Sequence, residues 1–246
     1  MDKIKSLFTI LTITILSQCM LSSCDDGYVP EKSYEDDTEH YTVKITGNFT
    51  HLKTWSGDYS VAAATYSEES NYSLMQKVLP SSATDTSLDT LILSNVPMES
   101  KTIEIAVTNK LRLRIASIYT YEIPADQRYD DTIRIDVGTL DVGMFGSINH
   151  CIFQNTAISC AQCHASSTAT AHLDLSEKNA YSSLVNVDAY KCDTLKRVLP
   201  GSADKSFLYH VVTDGGGIHY NHNGLFGDYA AFLTIIKDWI NGGAKE

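Results

Sequence analysis

The sequence predicts a mixed fold, an all-β antiparallel sandwich followed by a small all-α domain. Three observations lead there. Short apolar runs of strand length, several of them alternating with polar residues, recur across residues 41–137, separated by loops rich in Ser, Asn, Asp and Gly. The two-residue period stops near residues 138–146 and helical spacing replaces it. Near the end of the chain Tyr229, Phe232, Leu233, Ile236, Trp239 and Ile240 form one apolar stripe wide enough to face a core.

Taken in order, residues 1–23 do not belong to the fold. Lys3 and Lys5 precede an apolar run over residues 7–16, and the segment closes on Leu21-Ser22-Ser23-Cys24. This pattern reads as a secretory signal, because the run is too short to cross a bilayer and stay there. Leu-Ser-Ser-Cys resembles the bacterial lipobox, which implies that Cys24 is the lipidated first residue of the mature protein and anchors it to a membrane. The alternative is an ordinary signal with Cys24 a spare thiol. Asp25-Asp26 resembles the acidic trailer of surface-exported lipoproteins in Gram-negative anaerobes. The expected location is therefore the cell envelope, on the periplasmic or surface face of the outer membrane.

Loss of residues 1–23 removes Lys3, Lys5 and Asp2, so the formal charge moves from −11 to −12. A domain this acidic does not hold nucleic acid by electrostatics. Residues 24–40 are rich in Asp, Glu, Ser and Tyr and poor in aliphatics, so they serve as a flexible acidic tether.

The sandwich domain is expected over residues 41–138. Tyr41, Val43 and Ile45 alternate with Thr42, Lys44 and Thr46, and further runs lie at residues 59–66, 91–93, 103–107, 113–119 and 133–137. About six short strands of this kind argue for two sheets, each with one wet face. His40 and His51 stand alone in this half and read as solvated surface residues.

The helical domain is expected over residues 147–246. Ser147 is placed to cap a helix carrying Ile148, Ile152 and Phe153. Ser176 and Ser202 precede two more short helices, with Ala180, Tyr181 and Leu184 on one and Phe207, Leu208 and Val211 on the other. Asp228 caps the last helix, and Gly242-Gly243 ends it.

The chemistry of the chain is concentrated in Cys160-Ala161-Gln162-Cys163-His164. Two thiols three residues apart sit on one side of a helical turn, so each can add to a vinyl group of the same porphyrin, and the adjacent imidazole then lies under the iron. This is the c-type haem attachment pattern. It makes Cys160 and Cys163 the thioether sites and His164 the proximal iron ligand of one covalent haem c. A disulfide within the pair, or a zinc site, are the other readings. Zinc lacks a second C-x-x-C or H-x-x-x-H to complete four ligands. With Cys160 and Cys163 so used, Cys151 and Cys192 remain, either as a disulfide pair or as two buried reduced thiols.

Residues 147–244 resemble the small c-type cytochrome domains of planctomycete and Bacteroidetes envelope proteins. The resemblance rests on Ile152-Phe153, the haem motif, Leu173-Asp174-Leu175-Ser176 and Leu184-Val185. It continues through Arg197-Val198-Leu199-Pro200-Gly201-Ser202, Ser206-Phe207-Leu208-Tyr209 and the closing Trp239-Ile240-Asn241-Gly242-Gly243-Ala244. It implies a cytochrome c-like domain with its first and last helices packed over a haem edge. The chain departs from that pattern at the sixth ligand, where such domains carry Met in the loop before the last helix. All five Met lie upstream of the haem motif, and the loop holds His219 and His222 instead. Counting back from Trp239 favours His222 over His219; the remaining alternative leaves both as solvated loop residues. Bis-His ligation implies a lower reduction potential than His/Met. His210 reads as structural, and His150 and His172 as satisfied or solvated.

These residues predict an electron-transfer protein working between redox partner proteins of the envelope, and not an enzyme. The alternative is an adhesion or binding lipoprotein whose sandwich recognises a glycan or a protein, with the haem domain accessory. A haem enzyme would need an open sixth site and usually a second haem, and a thiol oxidoreductase would need a strand-loop-helix setting for its C-x-x-C.

Overall fold

In the computed structural model, residues 39–80, 86–128, 131–158, 160–165, 170–217 and 220–246 are described. The signal, Cys24, the tether up to residue 38 and His219 lie outside them. The alternation that starts at Tyr41 builds β1 (His40–Thr50), with Tyr41, Val43, Ile45 and Phe49 on its buried side. β1 is the central strand of a three-stranded sheet, between β4 (Thr86–Pro97) and β7 (Thr132–Asp141). A four-stranded sheet has the order β3 (Met75–Val78), β2 (Tyr59–Tyr66), β5 (Thr102–Asn109), β6 (Arg114–Glu122). The six expected runs all fall in strands; β3, a four-residue edge strand, is an addition.

Pairing is antiparallel except between β1 and β7, which run parallel with Val43 beside Ile133 and Ile45 beside Ile135. This departs from the all-antiparallel expectation. The chain visits the whole second sheet between β1 and β7, so no hairpin fixes their relative direction. The two strands approach closely at a bulge on Gly47, whose φ is +152°. A Cβ there would stand 2.4 Å from Val137 Cγ2 and 2.8 Å from the Gly138 carbonyl oxygen, so the contact requires glycine.

The helical part begins earlier than its apolar spacing suggests. α1 (Met144–Ile148) starts at Gly143, and Ser147 lies inside it, donating its backbone N–H to Gly143 O at 2.9 Å. The caps come from elsewhere in the chain. Asp141 Oδ1 accepts the Gly143 N–H at 2.9 Å, and Thr54 Oγ1 accepts the Met144 N–H at 2.7 Å. Asp141 also takes the His51 Nδ1–H at 3.0 Å, so His51 is tied to this junction. α1 runs straight into a π-helical turn over Asn149–Phe153, which buries Ile152 and Phe153 as expected.

The remaining helices are α2 (Cys160–His164), α3 (Ala180–Leu184), α4 (Phe207–Thr213) and α5 (Ala230–Asn241), with a two-stranded ribbon of β8 (Asp188–Ala189) and β9 (Cys192–Lys196) between α3 and α4. Among the described residues no helix is long and apolar enough to cross a membrane. α5 follows a 3₁₀ stretch, Asn223–Tyr229, so its N-cap is Tyr229 and not Asp228. It ends in a Schellman motif: Ala244 N–H bonds to Trp239 O at 2.9 Å and Gly243 N–H to Ile240 O at 3.1 Å, with Gly243 at φ +99°.

The stripe on α5 faces a core, as its width predicts. Phe232, Ile235, Ile236, Trp239 and Ile240 are buried, and Phe145 packs on Trp239 with ring centroids 5.2 Å apart. That core is continuous with the sheets, since Val43, Ile105, Ile135, Ile148 and Ile240 belong to one buried cluster. Polar contacts cross the same seam. Trp55 Nε1 donates to Val142 O at 2.6 Å, Tyr59 Oη to Asp238 Oδ2 at 2.8 Å, and Cys151 Sγ to Ser117 O at 3.3 Å. Residues 39–246 accordingly form one compact unit.

Candidate functional site

α2 is a single helical turn whose sequence is the Cys-Ala-Gln-Cys-His motif itself. Positions three apart share a helix face, so Cys160 and Cys163 project to the same side. Both are free thiols. Cys160 is half-buried, and burial pushes its thiol pKa up to about 11; Cys163 is exposed.

His164 closes the turn with its Nδ1 3.0 Å from Thr170 O. A carbonyl oxygen only accepts, so Nδ1 carries the proton and Nε2 keeps its lone pair. Burial, the largest influence, holds this imidazole below the ordinary histidine pKa and keeps it neutral. The backbone then returns to α2, where Leu175 N–H bonds to His164 O.

His222, just ahead of the 3₁₀ stretch, repeats the arrangement. Its Nδ1 is 3.1 Å from Tyr220 O, leaving Nε2 as the bare nitrogen, and burial again lowers its pKa. The Tyr220 ring stands edge-on at 4.7 Å. The ring centroids of His164 and His222 are 6.4 Å apart and their planes are inclined by 30°.

Both histidines, with Cys160 and Cys163, line a cavity of about 330 Å³. Phe153, Leu208, Val211 and Phe226 make much of the rest of its wall, so the space is mainly apolar. That size and lining suit an organic cofactor better than a bare ion. Among the described residues no cluster of three or more His, Cys, Asp or Glu is arranged to hold a metal ion. Two free thiols and two neutral histidines, each with its Nδ1 on a backbone carbonyl, on the wall of one mainly apolar cavity make up the donor set that a covalently held haem would require.

Of the sequence-derived site residues, the structure brings Cys160, Cys163, His164 and His222 to one cavity. Cys24 and His219 fall outside the described residues. Of the two alternatives for Cys151 and Cys192, the structure has both as free thiols. Cys151 is a buried thiol spent on Ser117 O, with its pKa pushed up to about 12 by burial, and Cys192 lies on β9 with Thr194 Oγ1 at 3.4 Å. No Met lines the cavity. His210 bonds through Nε2 to Asp204 O at 2.7 Å and through Nδ1 to Asp214 Oδ2 at 3.3 Å, both within or beside α4, in keeping with a structural role.

Arg197 is the residue whose part was not legible beforehand. It lines the cavity, and its guanidinium donates to Ser183 O, Ser183 Oγ, Ala171 O and His172 O. Its place in the Arg-Val-Leu-Pro-Gly run was the only signal in the sequence. No protein family, curated protein or solved structure matches the chain at a significant level, so the reading of this cavity rests on its own residues and geometry.

Proposed function

We propose that the chain is an extracytoplasmic c-type cytochrome, anchored to the envelope by lipid on Cys24, that passes electrons between redox partner proteins. The observation that carries this reading is the pair His164 and His222. Their ring centroids lie 6.4 Å apart on the wall of an apolar cavity that Cys160 and Cys163 also line, and each has its Nδ1 on a backbone carbonyl. Metal-bound histidines characteristically donate the second ring N–H in this way, which fixes the tautomer and raises the basicity of the ligating nitrogen.

In this role Cys160 and Cys163 would hold the porphyrin through thioethers, His164 would be the proximal ligand and His222 the sixth. A haem c held there supplies one-electron exchange between the ferric and ferrous states. The chain's residues do the rest. The apolar wall from Phe153, Leu208, Val211 and Phe226 would keep water from the group, and His164 and His222 would both be held by it, as an electron carrier requires. Two imidazoles in place of His/Met favour a low potential. We read residues 147–246 as a cytochrome c-like domain and the two sheets before it as a β-sandwich serving as spacer or docking module.

The test is pyridine haemochrome analysis of the protein matured with a haem-attachment system, for wild type, Cys160→Ala and Cys163→Ala. The proposal expects a haem c spectrum in the wild type, a one-thioether spectrum in each single variant and no covalent haem in the double variant. A wild type without covalent haem overturns it.

A further inference from the structure

We infer that Arg197 is a positioning residue for the proximal ligand, clamping the backbone turn whose carbonyl orients His164. The inference deepens the haem reading and rests on it. The turn in question is unusual. Ala171 and His172 take φ of 58° and 53°, two consecutive non-glycine residues in a conformation that side-chain-bearing residues rarely adopt. Such a turn persists only where its surroundings over-determine it.

Arg197 is the group that does so. One terminal nitrogen, NH2, donates to Ala171 O at 3.2 Å and His172 O at 3.0 Å. The other, NH1, reaches Ser183 O at 2.7 Å and Ser183 Oγ at 3.2 Å, which fastens the turn to α3. The residue immediately before the turn is Thr170, whose carbonyl receives the His164 Nδ1–H. The chain of contacts is therefore α3, guanidinium, turn, carbonyl, imidazole. Four of the guanidinium's contacts go to these serine and backbone oxygens, out of five N–H donors, so little is left to bind a ligand's carboxylate directly. His222 has no comparable support, because its carbonyl partner, Tyr220 O, lies two residues away in its own loop.

The signs separate the clamp from a charge effect. An Nδ1–H that donates to a carbonyl makes the imidazole a stronger donor and favours ferric iron, so losing that bond raises the reduction potential. Removing a nearby positive charge lowers it. Arg197→Lys keeps the charge and loses the planar fork, so it isolates the first effect. The experiment compares full-length wild type, Arg197→Lys and Arg197→Met. Covalent haem is measured first, and a wild type without it sinks the site reading before any variant is judged. In Arg197→Lys the proposal expects full haem content, an upward shift in potential and an altered low-spin EPR signal. Arg197→Met shows the same spectral change. A haem-replete Arg197→Lys with wild-type potential and EPR overturns the proposal. Should the variants not fold, the wild type decides alone: the His164 Nδ1–H, followed by NMR in the ferrous protein, exchanges slowly with solvent if the turn is clamped, and rapid exchange refutes it.

Discussion

Replacing His222 by alanine separates the role of its imidazole as a ligand from any role in holding the fold. The side chain is only partly buried, and its described contacts include one hydrogen bond to Tyr220 O, an edge-on contact with the Tyr220 ring and the His164 ring at 6.4 Å. A net hydrogen bond contributes about 1 kcal/mol and an aromatic contact about 0.5–1.5 kcal/mol. The surrounding loop keeps its other ties, including Gly224 N–H to Asn221 Oδ1 at 3.1 Å and the buried Phe226. The loss of stability should therefore stay near 2 kcal/mol or below, and the protein should still fold and take up haem. The spectrum should change completely. If His222 is the sixth ligand of the proposed haem, its loss should make ferric iron high-spin, and millimolar imidazole should restore the low-spin signal. Absorption and EPR spectra of His222→Ala, with and without imidazole, read this directly. A His222→Ala protein that stays low-spin, paired with a His219→Ala protein that turns high-spin, refutes the assignment.

Three further outcomes test the scaffold. Gly47→Ala should destabilise by at least about 2 kcal/mol in urea titration, because a Cβ would lie 2.4 Å from Val137 Cγ2 at φ +152°; a midpoint unchanged within error would contradict the bulge. Tyr59→Phe should cost about 1–2 kcal/mol by removing the bond to Asp238 that joins β2 to α5, and its effect should not add to that of Asp238→Ala; full additivity would show that the seam is not coupled. His210 gives a pH test. Its pKa is raised, first by the bond to the Asp204 carbonyl and then by Asp214. A raised folded-state pKa means that the stabilisation is complete below the ordinary value of 6.5 and is lost as pH rises through the raised one. His210→Gln should thus be destabilising near about pH 5.5 and nearly neutral near about pH 8.5, and a deficit that grows with pH would be the wrong sign.

What the sequence made legible was local. Tyr41, Val43 and Ile45 alternate because one side of β1 is buried, and the α5 stripe repeats at helical spacing because Trp239 and Ile236 meet the core. The Cys-Ala-Gln-Cys-His run put Cys160, Cys163 and His164 on one turn, and counting back from Trp239 left His222 and His219 as candidates, of which His222 lines the cavity and His219 lies outside the described residues. What was not legible came from contacts distant in the chain. The first helix borrows Thr54 Oγ1, ninety positions upstream, for its cap, so Ser147 was a misleading marker. β1 and β7 pair in parallel across the whole second sheet. β3 is a half-exposed edge strand, and Met-Gln-Lys-Val carries little alternation. Arg197 stands in the Arg-Val-Leu-Pro-Gly run, and nothing in that run indicates that its guanidinium meets the carbonyls of Ala171 and His172, some 25 positions upstream.

Intact-mass analysis of the purified mature protein, combined with thiol alkylation under denaturing conditions, tests the central claim most directly. The account predicts a mass increase of one haem, with Cys160 and Cys163 resistant to alkylation while Cys151 and Cys192 are modified. A mass without that increase, with all four thiols modified, would contradict it.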